Sequence, residues 1–252
     1  MVGLVKNKKI LNTILLGDCL KLLPQVEDES IDMILADLPY GVSENKWDTI
    51  IPLEPLWKEY LRVIKDNGAI VLTAVQPFVS MLVMSQLKLF KYDWIWLKTT
   101  PSNNLNANIQ PLRSHEHILV FYKNQPTYNQ WYRDGKPYKI TRKITFKGEG
   151  YGKQSENTTD NEGKLHPIST IEFSNSRVED GHPTQKPVYL FEYLINTYTN
   201  LGDVVLDNCI GSGTTAIASI RTGRNYIGME INEEYCNMAQ ERIKKEMPYV
   251  VF

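Results

Sequence analysis

The sequence is short of cysteine, of long apolar runs and of net charge, and each shortage closes off a class of protein. Only Cys19, Cys209 and Cys236 occur and none forms a C-x-x-C pair, so neither a disulfide framework nor a zinc ribbon is indicated. The longest apolar stretch, residues 68–84, is broken by Gln76 and Pro77, and the opening MVGLVKNKK lacks the apolar core of a signal peptide. A soluble protein of a reducing cytoplasm is expected. With 28 Lys and Arg against 29 Asp and Glu, the formal net charge is −1, so a polyanionic partner has to be met by a local patch.

What is present is enough for one large domain, or a domain with an insertion: 252 residues, 42% of them hydrophobic. Short Ile- and Val-rich runs alternate with amphipathic stretches, the pattern of an α/β domain with a mostly parallel sheet. Strands are expected at 13–17, 31–36, 69–74, 92–97, 118–122, 204–206 and 226–229. Helices are expected at 53–64, 77–87, 188–198, 214–222 and 233–245, with Pro77 in a first turn and Asn232 as an N-cap.

Between about residues 124 and 181 the apolar periodicity stops. From Lys123 to Lys153 there are eight Lys or Arg against two acids, with aromatics between them. This is a local basic patch on an otherwise neutral chain. Arg133, Lys136, Lys139, Arg142, Lys143 and Lys147 are its candidates for phosphate contact, and a solvated surface or protein-docking face is the competing reading. Residues 154–163 are polar enough to be a mobile loop.

Two turns carry the chemistry. In ILADLPYG the apolar run from Ile31 ends on Asp37, and Leu38-Pro39-Tyr40-Gly41 stops any strand or helix there. In VVLDNCIGSGTTAIA a strand ends on Asp207, followed by Gly211-Ser212-Gly213 and a helix. Glycines let the backbone approach a ligand at the carboxyl end of a strand, and Glu230, seventeen residues beyond Gly213, stands where an acid would grip ribose hydroxyls. A nucleoside-containing cofactor is implied. On its own this loop fits a nicotinamide or flavin dinucleotide, S-adenosylmethionine or a purely structural turn equally well. His115-Glu116-His117 suggests a metal, but alternate residues of a strand put only the two histidines on one face with no third ligand, so no metal site is expected. Lys98 is either close to a cleft or an edge-strand lysine.

Taken together, the motifs resemble a known family. Asp37-Leu-Pro-Tyr40 resembles the D-P-P-Y motif of amino-methyltransferases, and Asp207 to Thr215 resembles their D-P-F-x-G-S-G-T-T cofactor motif. HPTQKP at 182–187 and Gly17-Asp18-Cys19 match two further family motifs. The catalytic-type loop precedes the cofactor loop by 174 residues with the basic segment between, the order of the β-class DNA amino-methyltransferases.

That resemblance implies a circularly permuted, Rossmann-like S-adenosylmethionine-dependent α/β fold. Residues 1–123 would be its catalytic half, 124–181 an inserted target-recognition segment and 182–252 its cofactor-binding half. It implies methyl transfer to adenine N6 in double-stranded DNA, with base flipping; cytosine N4 is the alternative, and an inactive DNA-binding module the alternative of another class. Asp37 and the Leu38 carbonyl would hold the amino group, Pro39 would stiffen the loop, and Tyr40 would stack on the extruded base. Asp18 and Cys19, Thr184 and Lys186, Asp207, Gly211, Ser212, Gly213, Thr215 and Glu230 would surround the cofactor, with Asp207 near its ammonium and Lys186 near its carboxylate. A prokaryotic or phage origin, a role in restriction-modification and pairing with a second copy also follow from the likeness. Leu38 and Asn208-Cys209-Ile210 depart from the family pattern.

Overall fold

A computed structural model describes residues 9–41, 49–142, 157–175 and 185–246 of the chain. Its architecture is set by one strand apolar on both faces. In Ile31–Asp37, Ile34 and Ala36 belong to one hydrophobic core, while the alternating Met33 and Leu35 belong to a second on the opposite face. A strand buried on both sides needs layers above and below it, which is the three-layer arrangement of a mostly parallel sheet.

In chain order the main unit contains β1 (Thr13–Leu16), α1 (Cys19–Leu22), β2 (Ile31–Asp37), α2 (Leu53–Val63), β3 (Ile64–Ala74), α3 (Phe78–Ser85), β4 (Phe90–Ser102) and β5 (Arg113–Phe121). The short strands β6 (Arg133–Asp134), β7 (Tyr138–Arg142), β8 (Asn157–Asn161) and β9 (Lys164–Leu165) follow. Next come β10 (Thr170–Phe173), α4 (Val188–Tyr198), β11 (Val204–Asp207), α5 (Thr214–Arg221), β12 (Asn225–Glu230) and α6 (Glu233–Glu246). The eight-stranded sheet runs β1-β12-β11-β2-β3-β5-β4-β10. Five of its pairings are parallel, and β5 alone runs against both its neighbours, β3 and β4.

Helix spacing supplies the outer layers. α2 buries Leu56, Trp57, Tyr60 and Val63, every third or fourth residue, against the Ile34 face. α4 buries Leu190, Phe191, Leu194, Ile195 and Tyr198 against the Met33 face. Asn232 accepts from the backbone N–H groups of Glu234 and Tyr235 at 2.8 and 3.3 Å, the N-cap expected for α6.

The connections place the site. β2 leads to β3 on one side and β11 leads to β12 on the other, although β2 and β11 are hydrogen-bonded parallel neighbours. A crevice outside the carboxyl ends of the strands opens where the strand order diverges in this way.

The stretch 124–181, expected as one inserted segment, divides between two compact units. A second compact unit spans Gln130–Ile168, while β10 returns to the central sheet beside β4, Trp96 donating to the Phe173 carbonyl at 2.9 Å. Within the second unit β6 pairs with β9 and β7 with β8, both antiparallel. Part of the stretch expected as a mobile loop is therefore strand: polar Thr158 and Thr159 are β-branched and sit opposite Thr141 and Ile140. Residues 154–156 of that stretch lie outside the described residues.

Gly213, at φ +85° before α5, lies where the two helices meet: a Cβ there would come within 2.9 Å of the Ala239 Cβ and 3.2 Å of its Cα in α6. Gly213→Ala should therefore cost about 1–3 kcal/mol through left-handed strain and overpacking, read as a lower urea midpoint. An unchanged midpoint would mean that α6 yields without cost.

Candidate active site

β2 delivers Asp37 to the sheet edge, and the loop after it is held by burial. The Leu38 side chain is 2% exposed in the first core, so this residue anchors the turn by packing where a proline would anchor it by its ring. Asp37 then gathers donors from three elements. Tyr40 and Thr73, the latter opposite Asp37 on β3, both donate hydroxyls to Oδ1. Lys186, one residue before the N-cap of α4, donates from Nζ to Oδ2 at 2.6 Å. The Lys186 ammonium also lies 5.7 Å from the Tyr40 ring centroid, and Phe78 packs at 5.6 Å from that ring.

A second carboxylate faces the same lysine. Glu116 of β5 pairs through Oε1 with Lys98 Nζ at 2.7 Å, and its Oε2 stands 3.4 Å from Lys186 Nζ. Burial disfavours the charge on Lys186, but Asp37, Tyr40 and Glu116 outweigh it and hold the ammonium well above the ordinary lysine value. Burial likewise opposes ionisation of Glu116, and the two lysines overcome it and pull the carboxyl below its usual value. Burial and the neighbouring Asp37 push the Tyr40 hydroxyl well up, so it remains a donor.

The glycine loop is braced from beneath. Asp207 is 3% exposed and accepts from the Thr215 hydroxyl and from Cys209 N at 3.0 Å. Burial raises it to about 7, against the pull of those two donors. Tyr60 of α2 donates to buried Asn208, and Arg242 of α6 donates to the Ser212 Oγ at 3.0 Å. Gly211, at φ +51°, has nothing within 4 Å of where a Cβ would stand, so the absent side chain leaves the cavity open at that point. Its N–H donates to Glu230 Oε2 at 2.8 Å, while Asn232 N donates to Oε1 at 2.8 Å. Burial raises the Glu230 carboxyl as well.

Asp18 caps α1 by accepting from Leu20 N at 3.0 Å, and Cys19 is buried with its thiol against that of Cys209. Both loops and this turn line one cavity of about 600 Å³. Its wall includes Asp18, Cys19, the four residues Asp37 to Tyr40, and Lys186. It also includes Asp207, Gly211, Ser212, Thr215 and Glu230.

The remaining sequence candidates stand elsewhere. Gly213 is not on the cavity wall; its smallness serves the contact with α6. Lys186, expected beside a cofactor carboxylate, is bonded to Asp37, because its position before α4 aims it at the acid loop. Thr184, Lys143 and Lys147 lie outside the described residues, and only the backbone of Arg142 is described, in β7. Arg133, Lys136 and Lys139 are exposed in the second unit, where Arg133 donates to the His166 carbonyl and Lys139 pairs with Asp160 at 2.9 Å.

The sequence pattern shows Glu116 only between two histidines, gives no site role to Thr73, and leaves two readings for Lys98, whereas all three belong to the cluster around Asp37 and Lys186. Strand alternation holds the signal for the first: His117 turns to Asp93 at 2.8 Å while Glu116, between the histidines, points the other way into the cavity. Among the described residues no group of three or more His, Cys, Asp or Glu is placed to hold a metal ion, and no helix is long and apolar enough to cross a membrane.

A family model for DNA methylases of the N6/N4 type matches residues 31–241. The chain is 30% identical, over 258 aligned positions, to the Type II methyltransferase M2.LlaDCHI of Lactococcus lactis subsp. cremoris, covering 92% of this chain and 89% of that one. It is 31% identical over 252 positions to the DNA adenine methyltransferase YhdJ of Escherichia coli strain K12, covering 92% and 82%. Two solved structures share the fold. The cytosine-N4-specific PvuII DNA methyltransferase aligns with a TM-score of 0.64 at 17% identity, covering 94% of this chain and 91% of that one. The M1.HpyAVI–SAM complex aligns at 0.61 and 24%, covering 91% and 98%.

Tyr60→Phe would leave the buried Asn208 oxygen without its donor beneath the glycine loop. A loss of about 1–3 kcal/mol in unfolding free energy is expected, measured by urea titration; a wild-type value would show that another group takes over.

Proposed function

The chain belongs to the N6/N4 family of DNA methylases, and on that premise we propose that it transfers a methyl group from S-adenosylmethionine to the N6 amino group of adenine at a specific site in double-stranded DNA. One observation carries the reading: the acid loop after β2 and the glycine loop after β11 open into the same cavity. An acid left partly exposed on the wall of that cavity argues against an inactive binding module. Aspartate at position 37 favours adenine, and the similar Escherichia coli protein bears the name of an adenine methyltransferase. The Type II name of the Lactococcus relative supports a partner in restriction-modification.

The residues present fit the cofactor. Glu230 keeps lone pairs for two ribose hydroxyls after each oxygen has taken one backbone N–H. Asp207 offers an anion for an ammonium, and the missing Gly211 side chain leaves space beside them. When bound, S-adenosylmethionine supplies an electrophilic methyl group on a sulfonium sulfur.

The chain's own residues prepare the other reactant. An adenine amino group is a weak nucleophile because its lone pair is delocalised into the ring. Asp37 and the Leu38 carbonyl accept its two N–H bonds, hold the nitrogen toward tetrahedral geometry and stabilise the positive charge that grows as the bond to carbon forms. The carbon–sulfur bond would break as the nitrogen–carbon bond forms, its electron pair staying on sulfur, and one N–H proton would pass to Asp37 and on to solvent, which restores the amine, now methylated. Tyr40 gives the extruded base a face to stack on, its hydroxyl tied down on Asp37. The basic side chains of residues 133–147 neutralise phosphates, so affinity falls as salt rises.

DNA from cells expressing the protein, read by modification-sensitive sequencing, should carry N6-methyladenine at one short motif. N4-methylcytosine would overturn the choice of base, and unmodified DNA the activity. Asp37→Ala should lower turnover by at least about a thousandfold with cofactor affinity nearly intact; turnover close to wild type removes Asp37 from the mechanism.

Asp207 gives cofactor binding a pH signature. Its native carboxyl, raised to about 7 from 3.8, holds a proton that the unfolded chain has already released. The empty native state therefore loses stability as pH rises between those values. An ammonium beside Asp207 favours the ionised form, so binding below pH 7 expels a proton. The dissociation constant should tighten by up to about tenfold per pH unit from pH 5 to 7 and then level off, and Asp207→Asn should flatten the slope. Calorimetry in two buffers of different ionisation enthalpy checks the proton count; no release at pH 6 separates Asp207 from the ammonium.

A further inference from the structure

Lys186 lies between two carboxylates and uses only one of them fully. It is bonded to Asp37 Oδ2 at 2.6 Å, whereas Glu116 Oε2 stands 3.4 Å away. That Oε2 atom is buried and has no hydrogen-bond partner among the described residues, although its sister Oε1 is held by Lys98 at 2.7 Å. A buried carboxylate oxygen left without a donor costs free energy, and native proteins rarely leave one so without a use. Here a donor is already beside it, committed elsewhere.

That commitment conflicts with the proposed chemistry. Asp37 Oδ1 already takes the Tyr40 and Thr73 hydroxyls, so an incoming amine has to share Oδ2 with the Lys186 ammonium. An ammonium on that acid would also repel the charge that grows on the amine nitrogen. We infer that Glu116 is a positioning residue: when the target amine arrives, Lys186 passes from Asp37 to the waiting Oε2 of Glu116, freeing Oδ2 for the amine. Glu116 then faces two ammonium groups, Lys98 and Lys186, and Asp37 remains as the counter-charge nearest the reacting nitrogen. The side chains of Lys186, Lys98 and Glu116 are 10%, 6% and 12% exposed, so water offers little substitute for either partner. This rests on the reading that the amine sits on Asp37.

The test compares two duplexes containing the methylated motif, one with adenine at the target position and one with purine, which lacks only the amino group. Affinities are measured with cofactor product present. Comparing each variant with wild type on the same duplex cancels the difference in base pairing. Glu116→Gln should bind the purine duplex within about twofold of wild type, because there Lys186 never has to move, and the adenine duplex about tenfold more weakly. A residue that merely supports the fold would weaken both alike, and that result, or no change on either, overturns the swap. Should Glu116→Gln fold poorly, Glu116→Asp keeps the charge beside Lys98 but draws it back from Lys186, and the same selective loss is expected. Asp37→Asn is run beside them. If it separates the two duplexes as wild type does, the amine does not sit on Asp37 and the functional reading fails. If Asp37→Asn loses the separation and Glu116→Gln keeps it, only the swap fails.

Discussion

The hydrogen-bonded parallel pairing of β2 with β11 is the constraint from which the site follows. Their register sets Leu206 opposite Ile34, so Asp207 comes one residue past the last paired level and Asp37 three. At about 3.3 Å per residue, Asp37 stands roughly 7 Å further out along the strands than Asp207. The two acids accordingly live in different media. Asp207 is deep enough to be raised to about 7, while the Asp37 side chain keeps 28% of its surface and reaches the space where a substrate would enter. A single strand pairing thus sets the two carboxyls at different depths of one cavity, as the proposed division between cofactor and amine requires, without either loop having to be long.

Much of this arrangement can be read in the sequence because parallel strands buried on both faces are written as unbroken apolar runs, and the turns after them as conspicuous breaks. MILA before Asp37 and VVL before Asp207 are of this kind, and α4 falls on the expected residues because its apolar spacing is helical throughout. Three features resisted that reading for physical reasons. β10 is only four residues long and lies within a polar segment, so its place beside β4 depends on partners seventy-odd residues away. β8 is held by backbone pairing and threonine contacts, which carry no hydrophobic signal. Gly213 reads as a ligand-approach glycine, whereas what crowds it is Ala239 of a helix still to come.

Glu116 was hidden for a different reason: a single acid in a strand has no pattern, and its meaning lies in Lys98 and Lys186, eighteen residues before and seventy after it. Such a cluster is a poor device for stability. Each buried ion loses hydration worth several kcal/mol, and apolar residues of similar volume would often do as well. Two carboxylates and two ammonium groups nevertheless persist on the wall of the cavity. Their gain is charge held beside a bound group where water is scarce, with only Lys186 having to change partner.

The departures from the family motifs fit the same logic. Proline at position 38 would stiffen the acid loop by restricting a backbone angle; leucine adds to the stiffness of Pro39 by burying its side chain in the first core. In the glycine loop, Asn208 receives the Tyr60 hydroxyl, so the loop is tied to α2 where a proline would have had no side-chain acceptor to offer. In both loops part of the rigidity comes from the layer beneath the turn. Because α2 shares the first core with Leu38 and donates through Tyr60 to Asn208, the docking of this one helix on the sheet bears on both loops. A loop fixed by prolines alone would keep its shape if that helix shifted; these two, tied also to the core, would follow it, so the proposed geometry of transfer depends on the core as well as on the turns.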